Sequence, residues 1–273
     1  MTTIDVAGGA FYRNRYSPEM KALQDVVFGE AIDDYFGQSS LTSTADYDRM
    51  IAWLEVGPQD HVLDVACGSG APALRLARVT KCRCTGIDGN ADAIALATAE
   101  AASAGLADRS KFIVHDAEQS PPFTEASLSG VLCTDAIGHF RDWRQLLGGW
   151  RRVLRPGGRI VVTTFDITGP ISSEDIADRT PNGYLKFNVP SHFEMLLAET
   201  GFDLLCHESL TVALAASSLR HAQARERHAA ALRQLEGEVL FEQLNRLRRV
   251  LAQLTAEQRM SHSLWVARKS SHS

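Results

Sequence analysis

The chain has no run of apolar residues approaching the roughly 18 that a membrane-spanning helix needs, so no membrane partner is expected. It has no excess of basic charge: 28 Lys and Arg stand against 33 Asp and Glu, a net charge of −5. A protein that follows a polyanion wants the opposite balance, which makes nucleic acid an unexpected partner. Residues 1–15 lack a basic start followed by an apolar core, so no secretion signal is expected. Cysteine is scarce and odd in number: Cys67, Cys82, Cys84, Cys133 and Cys206. They fall in strand-like segments or at their ends, which reads as buried thiols of a cytoplasmic protein. Cys82 and Cys84 would share a strand face, but two thiols leave a metal short of ligands, so no metal is expected. Repeats and low-complexity tracts are absent.

What is present is alternation. With 45% hydrophobic residues the chain is too apolar for disorder, and its length allows two domains as a prior. Short β-rich runs at His61–Cys67, Cys82–Asp88, Lys111–Asp116, Gly130–Thr134 and Arg159–Asp166 predict strands. Between them, Pro72–Thr80, Ala91–Ala104 and Trp143–Leu154 predict helices, and Arg155-Pro156-Gly157-Gly158 predicts a turn. Phe193–Glu199 reads as helix; Phe202–Ser209 and Ser263–Arg268 read as closing strands. The expected fold class is therefore α/β, a Rossmann-like seven-stranded sheet flanked by helices, in one domain over 1–273.

Two segments fall outside that core of 54–212. Before Trp53 lie Phe11, Tyr12, Tyr16, Phe28, Tyr35, Phe36 and Tyr47, seven of the chain's 20 aromatic residues and about twice the share by length. This suits an N-terminal helical cap, residues 1–53, over an apolar pocket, although a plain packed helix pair would look the same. A helical insert, residues 213–258, precedes the last strand and tail at 259–273. Its leucines at 232, 235, 240, 244, 247, 251 and 254 form an amphipathic stripe that Gly237 divides. Packed core is the first reading of the stripe and a dimer surface the second, so a monomer or a homodimer is expected.

The first strand ends in Asp64-Val65-Ala66-Cys67-Gly68-Ser69-Gly70, with a helix directly after. Gly68 and Gly70 allow a tight turn and close approach to a ligand. Asp88 closes the second strand, where a carboxylate can accept from both hydroxyls of a ribose. Gly68-x-Gly70-x-x-Ala73 also satisfies a dinucleotide fingerprint. Asp64, however, would repel a pyrophosphate, whereas it can bind the ammonium of an amino acid. Asp116-Ala117 closes the third strand with an acceptor for an adenine amino group and an N–H for a ring nitrogen. A ligand with adenine, ribose, an α-amino acid and no phosphate satisfies all four features, and S-adenosylmethionine is such a ligand.

Val62–Gly70, Gly86-Ile87-Asp88, Asp116-Ala117 and Leu154–Gly158 resemble, in order, the motifs of class I S-adenosylmethionine-dependent methyltransferases. The resemblance implies S-adenosylmethionine as cofactor and S-adenosylhomocysteine as product. It assigns cofactor binding to Ser43, Asp64, Ala66, Gly68, Gly70, Asp88, Gly89, Asp116, Ala117 and Thr134. Phe28-Gly29, Phe36-Gly37, Leu41-Thr42-Ser43, Asp135–His139 and Leu264–Lys269 are similar to the small-amine branch, which includes phosphoethanolamine and sarcosine/dimethylglycine N-methyltransferases. That likeness implies a small-molecule acceptor touched by Tyr12, Tyr16, Tyr35, His139 and Tyr184. The sequence departs from the branch at Thr44-Ala45, where Gly-Gly is usual. It also carries Phe165 where phosphobase enzymes tend to have Tyr, and Asn182 where they tend to have Arg. A phosphate would lose charge-assisted contacts there, so phosphoethanolamine is not the expected acceptor.

Ser120-Pro121-Pro122-Phe123 mimics the Pro-Pro-aromatic motif of nucleic-acid amino-methylating enzymes, but it follows strand three instead of strand four. The expected activity is N-methylation of an amine or nitrogen heterocycle in natural product biosynthesis, with O- or C-methylation as the alternative. A nicotinamide-dependent oxidoreductase would leave Asp64 and Asp116 without roles, and a non-catalytic cofactor-binding regulator would keep every cofactor residue. A sulfonium methyl is already activated, so positioning and exclusion of water carry much of the rate. His139 is the candidate catalytic residue, either orienting the nucleophile or taking its proton; a helix-start histidine satisfied by backbone is the plainer reading.

Overall fold

The computed structural model describes residues 15–180 and 185–271. Two helices come first, α1 (Pro18–Gly29) and α2 (Thr44–Leu54), capped by the hydroxyls of Ser17 and Ser43. The alternating core follows as β1 (His61–Val65), α3 (Ala71–Thr80), β2 (Arg83–Asp88), α4 (Ala91–Ser103), β3 (Ser110–Val114) and β4 (Leu128–Cys133). A 3-10 turn at Ile137–His139 leads into α5 (Trp143–Val153) and β5 (Leu154–Ile167). Then come α6 (Ser173–Arg179), α7 (Pro190–Glu199), β6 (Phe202–Ser209), α8 (Thr211–Arg227), α9 (Ala229–Glu236), α10 (Glu238–Ala256) and β7 (Met260–Lys269).

One seven-stranded sheet has the order β3-β2-β1-β4-β5-β7-β6, with β7 antiparallel to both neighbours and every other pair parallel. The fold class expected from sequence is the one observed. Period-two alternation sorts the core into two layers. Leu63, Val65, Val131, Cys133, Ile160, Val162 and Trp265 pack under the tryptophans of α5 and Phe193 of α7. Val62, Leu132, Val161, Leu264 and Val266 face α2 and α3 on the other side. Cys82 and Cys84 lie together in that second layer as free thiols.

Strand ends moved by only a few residues from the sequence expectation, except in β5. Pairing jumps from Leu128–Leu154 to Gly130–Arg159, so the expected turn at Arg155–Gly158 is looped out of a strand that starts before it. Gly157, at φ +74°, supplies the left-handed backbone that this excursion needs. The insert holds three helices. Gly237 (φ +81°) separates α9 from α10, and a second break at His228 had no glycine to announce it. Five of the seven stripe leucines, 232, 244, 247, 251 and 254, are buried. Phe28, Ala31, Ile32 and Leu41 of the N-terminal region meet Leu214, Leu251, Leu254 and Met260. The first helices and the insert thus close over the C-terminal edge of the sheet. No helix among the described residues is long and apolar enough to cross a membrane.

Candidate active site

In this strand order, β1 and β4 are the neighbours from which successive connections run in opposite directions, and a crevice opens outside their carboxyl ends. Both ends carry a non-glycine residue in the left-handed region: Ala66 at φ +56° and Asp135 at φ +53°. Backbone of that kind persists only where its surroundings hold it, and it clusters at binding sites.

Asp64 shares its strand face with Val62 and lies 1% exposed against the start of α3. One of its carboxylate oxygens, Oδ2, has no hydrogen-bond partner. Burial, and the negative charge of Asp88 nearby, push its carboxyl up to about 8. Asp88 is held by two backbone donors, Gly68 N–H at 2.9 Å and Asn90 N–H at 2.8 Å. Burial raises its carboxyl too, while those donors oppose the shift. Each oxygen keeps a lone pair for a further donor.

Gly70, at φ +83°, has no room for a side chain: a Cβ would lie 2.7 Å from Phe112 and 2.8 Å from Ala97. A Cβ on Gly68 would stand 3.4 Å from the Tyr16 hydroxyl, which places that tyrosine over the loop. Gly89 opens onto free space. Asp116 is exposed and turns back to accept the Glu118 N–H at 3.0 Å, with Ala117 buried beside it. The Ser43 hydroxyl is engaged in capping α2 and donates to Asp46 at 2.7 Å. Its neighbour Thr42 is the one that reaches across to β4.

At that end of the crevice Asp135 collects three side chains. Thr42 donates to it at 2.8 Å, Thr163 at 2.9 Å, and His262 Nε2 lies 2.7 Å away. Burial works against its charge, but His262 and the two hydroxyls outweigh burial and hold the carboxyl at about 2. The His262 ring stacks on Phe165 at 5.1 Å, and its Nδ1 is buried without a partner. Thr134 accepts from the Tyr47 hydroxyl at 3.3 Å. His139 ends the 3-10 turn four residues after Asp135, half-buried, its N–H on the Ala136 carbonyl at 2.9 Å.

The sequence-derived acceptor residues are scattered. Tyr35 donates to Asp25 at 2.7 Å and packs near Phe28, so its hydroxyl is used within the cap. Tyr12 and Tyr184 lie outside the described residues. The Pro-Pro-aromatic segment is far from the crevice: Phe123 sits edge-on to His61, the first residue of β1, at 5.7 Å. Arg152 of α5 fastens that loop through the carbonyls of Phe123 and Pro121. It occupies the amino-terminal edge of the sheet, the wrong end for a group that grips a reacting base. Asp135, Thr42, Thr163 and His262 were missed as a cluster. Asp135 was visible at a strand end, but nothing in the sequence ties residue 262 to residue 135.

The residues at β1 and β2 fit a cationic, phosphate-free ligand. The half-buried Asp88 adds to the cost of ionising the buried Asp64, whose Oδ2 has no donor among the described residues and could take one from a ligand.

A family model described as a methyltransferase domain matches residues 62–158. Among curated proteins, the chain is 30% identical over 164 residues to methyltransferase GfsG of Streptomyces halstedii, covering 58% of each chain. It is 31% identical over 163 residues to 27-O-demethylrifamycin SV methyltransferase of Amycolatopsis mediterranei, covering 58% of this chain and 60% of that one. The alignments thus span about half to three fifths of the length of the curated relatives. Among solved structures, phosphoethanolamine N-methyltransferase 2 of Haemonchus contortus superposes with a TM-score of 0.77 at 20% identity, over 96% of this chain and 59% of that one. At that identity the likeness shows the fold.

Proposed function

From residues 62–158 being a methyltransferase domain, set in a Rossmann-like methyltransferase fold, we propose that this protein transfers the methyl group of S-adenosylmethionine to a small molecule. The observation that carries the reading is the buried, partnerless Asp64 oxygen beside the glycine loop, where an α-ammonium would supply the missing donor. In this reading Gly68 and Gly70 admit the ligand to the backbone, Asp88 receives the ribose hydroxyls, and Asp116 with the Ala117 N–H receives the adenine. In the same reading Ala66, Gly89 and Thr134 line the crevice, and Ser43 contributes through the cap of α2 that follows Thr42. When bound, S-adenosylmethionine supplies a methyl already activated by its sulfonium. A nicotinamide dehydrogenase would again leave Asp64 and Asp116 unexplained.

The chain's own contribution is placement. His139 and Asp135 flank the carboxyl end of β4, where a nucleophile would stand. His139 orients it or takes its proton. Asp135, fixed by Thr42, Thr163 and His262, stays charged and favours a nucleophile that carries N–H or a positive charge before reaction. The helices over the crevice exclude water. An amine or nitrogen heterocycle of natural-product metabolism is therefore the acceptor class of this reading. The relative named for a 27-O-methylation supports an oxygen acceptor as the second reading. A cytoplasmic monomer or homodimer belongs to the same reading.

Titration calorimetry with S-adenosylmethionine, S-adenosylhomocysteine and NADH tests it, together with mass-spectrometric detection of methyl uptake from labelled cofactor into a small-molecule pool. Tight binding of the first two and none of NADH is expected. Failure of both adenosyl ligands to bind would overturn the reading.

A further inference from the structure

His262 is a polar side chain in an otherwise apolar row. On β7 Met260, His262 and Leu264 point to one face of the sheet. Met260 belongs to the apolar cluster between the first helices and the insert, and Leu264 to the core layer under α2 and α3. His262 thus stands where cap, insert and sheet meet, with Phe165 opposite it on β5. Its backbone is fully engaged: the N–H donates to the Thr211 hydroxyl at 3.0 Å, and the carbonyl accepts from the Leu210 N–H at 2.7 Å. Together with the stacking on Phe165, these bonds fix the ring.

Asp135 decides which ring nitrogen carries the proton. An ionised carboxylate only accepts hydrogen bonds, so Nε2, 2.7 Å from Oδ1, is the donor. Nδ1 is then a bare lone pair, buried and without a partner among the described residues. Holding Asp135 in place does not explain that lone pair, because the carboxylate already has the Thr42 and Thr163 hydroxyls and an amide would serve as a third donor. A carboxylate on one nitrogen of an imidazole orients the ring and stabilises the cation formed when the other nitrogen takes a proton. The charged and titratable groups around the pair come from three further elements. Arg179 of α6 holds its guanidinium 5.0 Å from the centre of the same Phe165 ring, and it acts on an imidazolium in the opposite sense to Asp135. Tyr47 of α2 stands beside Asp135, with its hydroxyl on Thr134 at 3.3 Å, and Arg248 of α10 also feels the Asp135 charge.

We propose that His262 and Asp135 form a base dyad, in which His262 Nδ1 takes the proton that the methyl acceptor sheds. The role as base rests on the methyl-transfer reading; the tautomer of the dyad does not. As the nucleophile's electron pair closes on the methyl carbon, the carbon–sulfur bond breaks and its pair stays on sulfur. The nucleophile's proton passes to Nδ1, the imidazolium pairs with Asp135, and water takes the proton once the product has left. His139 keeps the orienting role. The acceptor class narrows to nucleophiles with a proton to lose: an ammonium, a ring N–H or a hydroxyl.

The full chain, labelled with nitrogen-15 histidine and saturated with S-adenosylhomocysteine, is read by two-bond proton–nitrogen NMR at about pH 8. The His262 signals are assigned by their loss in His262→Gln. The proton is expected on Nε2, with Nδ1 bare. A proton on Nδ1 with Nε2 bare, or a ring protonated on both nitrogens, overturns the dyad without any appeal to activity. Turnover is then measured with labelled S-adenosylmethionine and a pool of primary amines, azoles and phenols as the acceptor probe. His262→Gln keeps an amide donor for Asp135 and removes the base. It should lower the rate on the methylated members by about 10²–10⁴-fold and flatten the rise of kcat with pH seen in wild type. S-Adenosylhomocysteine affinity, measured by calorimetry on the same variant, should stay near the wild-type value. A Gln variant that turns over within about tenfold of wild type needs only the hydrogen bond to Asp135, and that overturns the proposal. A loss of S-adenosylhomocysteine affinity in step with the rate gives His262 a structural role and overturns it too. Methyl uptake by no member of the pool would remove the methyl-transfer reading and the base role with it, while the NMR result decides the tautomer by itself.

Discussion

At the carboxyl ends of β1 and β2 the crevice has an acidic side, Asp64 and Asp88, with only backbone donors and one buried oxygen left empty. At the end of β4 it has a second carboxylate, Asp135, with three side chains on it: Thr42, Thr163 and His262. The acidic side leaves an oxygen for a ligand's donor, whereas the chain satisfies Asp135 from within. Burial raises the Asp64 carboxyl to about 8, and the side chains around Asp135 hold its carboxyl at about 2. Two acids at neighbouring strand ends are thus set apart by what surrounds them, one kept for a ligand and the other kept charged.

The sharpest way to break this division is at its centre. His139→Ala should lower turnover by about 10²–10⁴-fold at saturating acceptor, the range for a positioned acid–base group. Affinity for S-adenosylmethionine should change little, since the residues of β1 and β2 do not depend on it. Initial rates and calorimetry on the same preparation separate the two effects. Unchanged turnover would leave positioning by the walls as the source of rate.

On the acidic side, Asp88→Ala removes the proposed ribose acceptor and unties the Gly68 and Asn90 amides together. Losing hydrogen bonds to a charged group costs about 1.5–3 kcal/mol, so the cofactor dissociation constant should rise by about tenfold or more. An unchanged constant would detach the acidic side from the cofactor.

The two sides differ just as much in how readable they were. The acidic side is almost contiguous in sequence, from Asp64 to Ala117, because parallel strands joined by helices return each strand end to the same edge. Its motifs come in chain order, and the structure sets them side by side. The Asp135 side draws on Thr42 and on the ends of β4, β5 and β7. No spacing relates residue 262 to residue 135; only the strand order β4-β5-β7 brings them together. Ser43 shows the converse: a residue named by resemblance whose hydroxyl the helix end takes first.

A smaller effect tests whether the glycine loop serves the acidic side through space or through backbone. At Gly70 a methyl group meets Phe112 and Ala97 well inside contact distance and must adopt a left-handed φ. Gly70→Ala should cost about 1–3 kcal/mol and lower the melting temperature by several degrees. At Gly68 the nearest atom is the Tyr16 hydroxyl at 3.4 Å, so Gly68→Ala should melt closer to wild type. Equal melting of the two would remove the packing argument for Gly70.

The smallest effect is a fraction of one proton, and it isolates Asp64. Its carboxyl is raised to about 8 by burial and by Asp88, against about 3.9 in an unfolded chain. A raised value means that its contribution to stability is complete below the unfolded value and is lost as pH rises through about 8. At pH 7 the unliganded protein therefore holds Asp64 mostly protonated. An ammonium brought to its buried oxygen favours the carboxylate, so binding of S-adenosylmethionine should expel close to one proton at pH 7. Calorimetry in two buffers of different ionisation enthalpy measures that number directly. It should fall towards zero below about pH 5, where the proton stays on Asp64 unless the ligand pulls it off at a cost in affinity. Affinity should accordingly weaken as pH drops from 7 to 5, a range in which an α-ammonium of ordinary pKa, about 7.7–8.0, keeps its charge. Asp64→Asn should abolish both the proton release and the pH slope while keeping the side chain's size. Full proton release in that variant would move the effect to Asp88, the other raised carboxyl on this side.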